Sequence, residues 1–142
     1  MAIKTPLRGL VVSYAYLWNA EHRRGREDGV KDRPCVVVLA VEDVGGKPRV
    51  TVAPITHSEP ANLDEAVEIP LATKRRLGLD DARSWVVVSE VNRFVWPGPD
   101  LRPIALGTFD YGVLPPALFR QILQRMSSYL AGRRLAVIPR SE

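Results

Sequence analysis

The chain has 142 residues, of which 46% are hydrophobic and 25% are charged. These are the values of an ordinary globular protein, so the composition argues against disorder or a fibrous repeat. The length suits a single domain spanning residues 1–142, with its core at about residues 8–132. The formal net charge of +4 favours an anionic partner, although it is too modest to require one.

Membrane segments and metal ligands are poorly represented in the sequence. No apolar run approaches the ~18 residues that cross a bilayer, and residues 1–6 are too polar for a secretory signal, so we expect a cytoplasmic protein without membrane contact. One cysteine with two histidines is a poor basis for a metal site, and we expect no metal and no cofactor. Cys35 lies in an apolar run and is predicted to be a core residue rather than a nucleophile.

Strand-like segments alternate with turn signals from the start of the chain. Residues 9–18 are aromatic and β-branched enough to predict a first strand. Residues 19–32 are rich in charged side chains and glycine, which predicts a long exposed loop. In residues 31–58, two runs rich in β-branched residues flank Gly45 and Gly46. Gly pairs supply the positive φ angles of hairpin turns, so we predict a β-hairpin.

The register of this hairpin decides which polar side chains meet at its open end. A turn centred on the two glycines places Arg33 opposite Ser58, and a turn one residue earlier places it opposite Thr56. Both registers put Arg33, Thr56 and Ser58 on one face and turn His57 to the other, unless a bulge intervenes. A guanidinium beside two hydroxyls suits an anion such as phosphate. An Arg that caps a strand and a Thr chosen for its β propensity would give the same pattern.

The rest of the chain predicts further short strands and one helix. Strands are expected at residues 66–70, 84–94 and 104–108, with a helical turn at residues 73–79. A helix is predicted from residues 114–116 to Gly132, because apolar residues recur at helical spacing: Leu118, Phe119, Ile122, Leu123, Met126 and Leu130. Short antiparallel strands hide their edges by curling into a small barrel, whose flank the helix can cover. We therefore predict a mainly β (α+β) fold, and leftover apolar surface favours a homodimer.

Two short motifs in the hairpin resemble a known family. The first strand opens with Arg33-Pro34 and an apolar run, and the second ends with Pro54-Ile55-Thr56. This combination resembles the MazF/PemK family of bacterial growth-inhibiting toxins, with similarity over about residues 8–132. The resemblance implies a small SH3-like barrel of the CcdB/MazF type with a C-terminal α-helix, a homodimer and a cognate antitoxin. It also implies a sequence-specific, metal-independent endoribonuclease that cleaves single-stranded RNA to 2′,3′-cyclic phosphate and 5′-hydroxyl ends.

The resemblance assigns catalysis to two residues. The catalytic Arg of the family precedes its Pro and the catalytic Thr ends the second strand, and these positions correspond to Arg33 and Thr56. Family members often carry Gly-x-Glu-Gln before the Arg-Pro pair, whereas this chain has Gly25-Arg26-Glu27-Asp28, one residue further from Arg33. The role of Glu27 therefore stays open.

Cleavage of RNA also needs groups that manage charge and protons. Arg33 can stabilise the phosphorane, and Thr56 and Ser58 can donate to a non-bridging oxygen. The sequence leaves four residues open as the proton acceptor: Glu27, Asp28, His22 and His57. The expected contacts to RNA phosphates come from a basic stretch, Arg23, Arg24, Arg26 and Lys31. Trp18, with Tyr16, is predicted to stack on bases.

Two other functions fit the same sequence. A CcdB-like inhibitor of a protein target such as DNA gyrase would not need Arg33 or Thr56. A catalytically inactive SH3-like binding domain would keep the barrel without the chemistry, and the altered loop before Arg33 is compatible with it.

Overall fold

The computed structural model describes residues 6–25, 31–42 and 45–140. Its helices and strands in these ranges follow the order β1 (Leu10–Tyr14), α1 (Asn19–Arg23), β2 (Arg33–Glu42), β3 (Pro48–Thr56), β4 (Ala66–Glu68), α2 (Leu71–Leu77), β5 (Trp85–Val87), β6 (Glu90–Val95), β7 (Asp110–Val113), α3 (Pro116–Ala131) and β8 (Ala136–Pro139). A 3₁₀ turn at Leu63–Glu65 precedes β4. Among the described helices, none has the length and apolar character that a membrane crossing requires.

The sheet is antiparallel except at one edge. Its strand order is β4-β5-β3-β2-β1-β7, while β6 pairs with β3 and β8 runs parallel to β6. β3 is the centre of this arrangement, because it pairs with β2 on one side and with β5 and β6 on the other. The described strands make a barrel-like sheet whose ladder of strand pairs does not close. The predicted mainly β fold with a C-terminal α-helix is confirmed, with β8 as a short strand after that helix.

Both faces of the central strands are buried, because the sheet separates two apolar clusters. Val11 and Val36 face the cluster that α3 covers through Leu118, Ile122, Met126 and Tyr129. Val12 and Cys35 face the other cluster, which contains the aromatic series Tyr14, Phe94 and Trp96 with centroid separations of 4.5 and 6.2 Å. Strands buried on both faces are uninterrupted apolar runs rather than alternating ones. The prediction that Cys35 is a core residue is confirmed, since its side chain is 0% exposed.

The predicted strand at residues 84–94 is divided into β5 and β6. β5 pairs with the end of β3, through Val86 and Ile55, whereas β6 pairs with its middle, through Asn92 and Val52. The segment between the two ladders is longer than the matching part of β3, so the chain breaks its strand around Val88. The prediction of one continuous strand was wrong, because two apolar runs that follow each other directly have the same sequence pattern as one long strand.

Short elements also differ from the sequence prediction. Residues 104–108 contain an isolated bridge between Ala105 and Thr108 rather than a strand. β7 and β8 were not predicted, because each is only four residues long and β7 includes Gly112. The predicted loop at residues 19–32 begins with α1, whose start is capped by the side chain of Glu21 accepting from the Trp18 backbone N–H at 3.1 Å.

The apolar stripe of α3 drifts at its C-terminal end. Leu130 was predicted to belong to the stripe, but its side chain is 63% exposed, whereas Tyr129 is 6% exposed. A period of 3.6 residues explains this, since a step of four from Met126 overshoots the buried face and a step of three returns to it. Tyr129 is further covered by the Arg134 guanidinium, 4.5 Å from its ring centroid.

We expect Ile122→Ala to lower the free energy of unfolding by about 2–5 kcal/mol, because it leaves a cavity between α3 and the sheet. Leu130→Ala is the matched control and should change it by less than about 0.5 kcal/mol. Equilibrium unfolding in urea measures both. Equal losses for the two variants would contradict the placement of the helix.

Candidate functional site

The site lies at the mouth of the β2–β3 hairpin, where a bulge sets the register. Near the turn, Val41 pairs with Arg49, whereas near the mouth Cys35 pairs with Pro54, with a register shift between Val37 and Leu39. Continued to the start of β2, the mouth register sets Arg33 opposite Thr56, which is one of the two predicted registers. Without the extra residue, the turn register would set Arg33 opposite His57 and send Thr56 to the other face.

Arg33 is half-buried, and its guanidinium is only loosely held. Nη1 donates to the Ile55 carbonyl at 3.4 Å, and Cζ lies 4.9 Å from the centre of the Trp18 ring. Nε is buried and finds no hydrogen-bond partner among the described residues. No carboxylate in the described ranges pairs with Arg33. A guanidinium with this much unused donor capacity is suited to an anionic ligand.

Thr56 stands between two clefts. One, which we name the Arg33 cleft, has a volume of about 260 Å³ and is lined by Arg33, Thr56 and His57 among others. The other, which we name the Glu90 cleft, has a volume of about 360 Å³ and contains Thr56, Ser58 and Glu90. Thr56 Oγ1 accepts from the Ser58 backbone N–H at 3.1 Å, which leaves its own proton available as a donor. Ser58 is therefore beside Thr56 but in the neighbouring cleft.

His57 shares the Arg33 cleft, contrary to the alternation expected of a strand. β3 ends at Thr56 and the chain bends at His57, so the alternation of faces no longer applies. Its Nε2 lies 2.7 Å from Asp80 Oδ2. Asp80 also accepts from Lys74 Nζ at 2.7 Å, and the hydrogen bond from Lys74 holds the pKa of Asp80 below its ordinary value. Both Lys74 and Asp80 line the same cleft.

The Glu90 cleft is lined by acidic side chains, whereas the Arg33 cleft contains the guanidinium. Glu59, Glu65 and Glu90 line the Glu90 cleft together with Trp18. Glu90 Oε1 accepts from Tyr16 Oη at 3.0 Å and from the Asn19 backbone N–H at 2.9 Å, and burial raises its pKa. Cation and carboxylates thus flank Thr56 on two sides.

The other predicted residues fall into three groups. Trp18 is half-buried beside Arg33, whereas Tyr16 is buried, so the prediction that Tyr16 stacks on bases was wrong. Four of the predicted residues are exposed. His22, Arg23 and Arg24 lie in or directly after α1, and Lys31 lies at the edge of the Arg33 cleft. Arg26, Glu27 and Asp28 lie outside the described residues.

Sequence reasoning missed Lys74 and Asp80. Lys74 stands in a basic run with Arg75 and Arg76, which are exposed, yet Lys74 itself is 2% exposed. The usable signal was its spacing of three from Leu77, which places both on one face of α2. No sequence pattern indicated a role for Asp80, because only the fold brings it next to His57.

Within residues 6–25, 31–42 and 45–140, no group of three or more His, Cys, Asp or Glu side chains is arranged to hold a metal ion.

The strands around this hairpin form a known fold. The structure matches a chain of the crystal structure of MazE–MazF (Form-III) from Deinococcus radiodurans with a TM-score of 0.56 and 15% sequence identity, over 89% of this chain and 96% of that chain. At this identity the likeness concerns the fold alone. The class is therefore that of small, barrel-like proteins with a MazF-like fold.

The sequence match is more specific. Residues 15–94, more than half of the chain, match the family model described as PemK-like, MazF-like toxin of type II toxin-antitoxin system. The chain belongs to this family, as the Arg33-Pro34 and Pro54-Ile55-Thr56 motifs predicted. The matched segment includes Arg33, Thr56, His57 and Asp80. No curated protein sequence matches the chain.

Cys35 provides a test of the packing under the site. Burial raises the pKa of its thiol, so we expect native protein to react with a disulfide reagent more than about 100-fold more slowly than denatured protein. A thiol introduced by Ser127→Cys on the exposed side of α3 should react at once and serves as the positive control. Rapid labelling of Cys35 in the folded wild type would contradict its placement.

Proposed function

We propose that this toxin-family protein is a metal-independent endoribonuclease that cleaves single-stranded RNA at the Arg33 cleft. The observation that carries the proposal is that Arg33 and Thr56 line one cleft at the hairpin mouth. The resemblance to the toxin family assigns catalysis to these two positions. In the proposed reaction the 2′ oxygen attacks phosphorus and the bond to the 5′ oxygen breaks. The products carry 2′,3′-cyclic phosphate and 5′-hydroxyl ends.

Arg33 and Thr56 supply the electrostatic part of this reaction. The guanidinium neutralises the charge that builds on the phosphorane, and it has no competing carboxylate among the described residues. The Thr56 hydroxyl donates to a non-bridging oxygen, since its acceptor side is already occupied by the Ser58 N–H. Each such donor is typically worth on the order of 10²- to 10³-fold in rate.

The surroundings of the cleft favour an unpaired strand. Arg23, Arg24 and Lys31 provide exposed positive charge for the phosphate backbone, with Arg26 proposed to join them. Trp18 lies next to Arg33 and lines the adjoining cleft, where we propose that a base stacks. A base can stack on Trp18 only when it is unpaired and turned out of a helix, because in a duplex both of its faces are covered by neighbouring base pairs.

The proposed partners are a second copy of the chain and an antitoxin. The matched solved structure is of MazE with MazF, and family membership supports an analogous complex here. Exposed apolar side chains such as Leu106 and Leu63 offer surface for such contacts. We propose that the protein acts in the cytoplasm, where RNA is available.

The test is incubation of purified protein with mixed single-stranded RNA in EDTA. Wild type should cleave, and Arg33→Ala or Thr56→Ala should each reduce kcat by about 10²- to 10³-fold. Arg120→Ala, on the exposed face of α3, removes the same charge away from the cleft and should retain full activity. Mass spectrometry of the fragments identifies the cyclic phosphate.

Four results would contradict the proposal. Intact RNA with wild type would remove the nuclease function, and undiminished cleavage by both variants would remove Arg33 and Thr56 from the catalytic site. Growth arrest that survives Arg33→Ala would instead indicate an inhibitor of a protein target. Salt-sensitive RNA binding without turnover would indicate a binding domain.

The basic stretch is tested by the salt dependence of RNA binding. Each phosphate contact to single-stranded nucleic acid contributes about 0.7 to the slope of log affinity against log salt. We expect Arg23→Ala with Arg24→Ala to weaken binding and reduce this slope by about 1.4, with kcat unchanged at saturating RNA. An unchanged slope would place these side chains outside the RNA path.

A further inference from the structure

A charged lysine is buried beside the Arg33 cleft. Lys74 Nζ donates to Asp80 Oδ1 at 2.7 Å, to Ser84 Oγ at 2.6 Å and to the Ala82 carbonyl. All three donors of the ammonium group are therefore used. Burial of an ammonium group is costly unless such partners compensate for lost water. The result is that α2 holds the chain from Asp80 to Ser84 in a fixed position.

The two carboxylate oxygens of Asp80 have different hydrogen-bond partners. Oδ1 accepts from Lys74 Nζ and from the Ala82 backbone N–H at 3.2 Å. Oδ2 is left for His57 Nε2 at 2.7 Å. Because the Lys74 hydrogen bond keeps the pKa of Asp80 low, the carboxylate is ionised at neutral pH.

This contact selects one tautomer of the His57 ring. A carboxylate can only accept hydrogen bonds, so Nε2 carries the proton. In the neutral ring the lone pair is then on Nδ1. The ring lies in the cleft that also contains Arg33 and Thr56. Other charged or titratable groups that line this cleft are Lys31, Asp32 and Tyr111.

We propose that His57 is the proton acceptor of the cleavage reaction, and that Asp80 and Lys74 are positioning residues that hold its ring and tautomer. The proposal rests on the proposed ribonuclease function and deepens it by assigning the base. Two of the four candidates from the sequence lie among the described residues, and of these His22 is exposed on α1 and does not line the cleft. His57 is the described candidate that both lines the cleft and has a carboxylate partner for its ring.

The proton balance of the step is simple. His57 Nδ1 takes the 2′-hydroxyl proton as the 2′ oxygen bonds to phosphorus. The bond from phosphorus to the 5′ oxygen breaks, and that oxygen leaves with a proton from water. The imidazolium, paired with Asp80, then returns its proton to solvent.

The kinetic test compares two neighbouring aspartates. Asp80→Asn lets an amide face Nε2 and permits the wrong tautomer, so we expect kcat to fall about 10- to 100-fold with KM unchanged. Asp81→Asn is the matched control, because Asp81 is exposed and pairs only weakly with Arg75 at 3.6 Å. It should keep kcat within about twofold. Asp80→Glu should recover part of the loss.

Asp80→Asn also removes a partner of buried Lys74, so a second variant leaves the Lys74 contacts intact. We expect His57→Ala to lose about 10²- to 10⁴-fold in kcat and to recover activity in proportion to added imidazole. Nitrogen NMR of the neutral ring should show the Nε2–H tautomer in wild type and a mixture in Asp80→Asn. With two histidines in the chain, His57→Ala assigns the signals.

The outcomes separate the two proposals. Wild-type cleavage that depends on Arg33 but survives His57→Ala would overturn this assignment and leave the ribonuclease function standing. A Nδ1–H tautomer in wild type would overturn it without any activity measurement. Absence of cleavage by wild type would overturn both.

Discussion

The bulge in β2 is the constraint on which the site depends. It inserts one residue between Val37 and Leu39 and thereby changes which residues of β2 and β3 are opposite each other at the mouth. Side chains alternate along a strand, so a shift of one residue exchanges the two faces. With the bulge, Arg33 and Thr56 reach the same cleft while Cys35 and Val37 remain in the core. The core and the site are therefore fixed by the same register.

β3 connects this hairpin to the rest of the site. It pairs with β2, β5 and β6, so its end at Thr56 is held by strands on both sides. Beyond Thr56 the chain bends, and His57 contacts Asp80, whose carboxylate is hydrogen-bonded to Lys74 of α2. Two separately supported segments thus converge on one cleft. Side chains held in this way need little reordering when a ligand binds.

The charged side chains on the two sides of Thr56 have opposite signs. Arg33 lies on one side, and Glu59, Glu65 and Glu90 lie on the other. A phosphate that approaches Thr56 is attracted to the first cleft and repelled by the second. In the proposed reaction this asymmetry places the scissile phosphate against Arg33 and leaves the Glu90 cleft and Trp18 to neighbouring parts of the RNA.

The amino-acid sequence by itself determined the elements that depend on local pattern: the hairpin, the long α3 and the burial of Cys35, as well as the two motifs that identify the family. Local pattern is sufficient there because periodicity and glycine placement act over a few residues. Only the tertiary structure decided the bulge, the break between β5 and β6 and the meeting of Lys74, Asp80 and His57. These features depend on how segments distant in the chain pair and contact one another, which the local pattern of each segment does not encode.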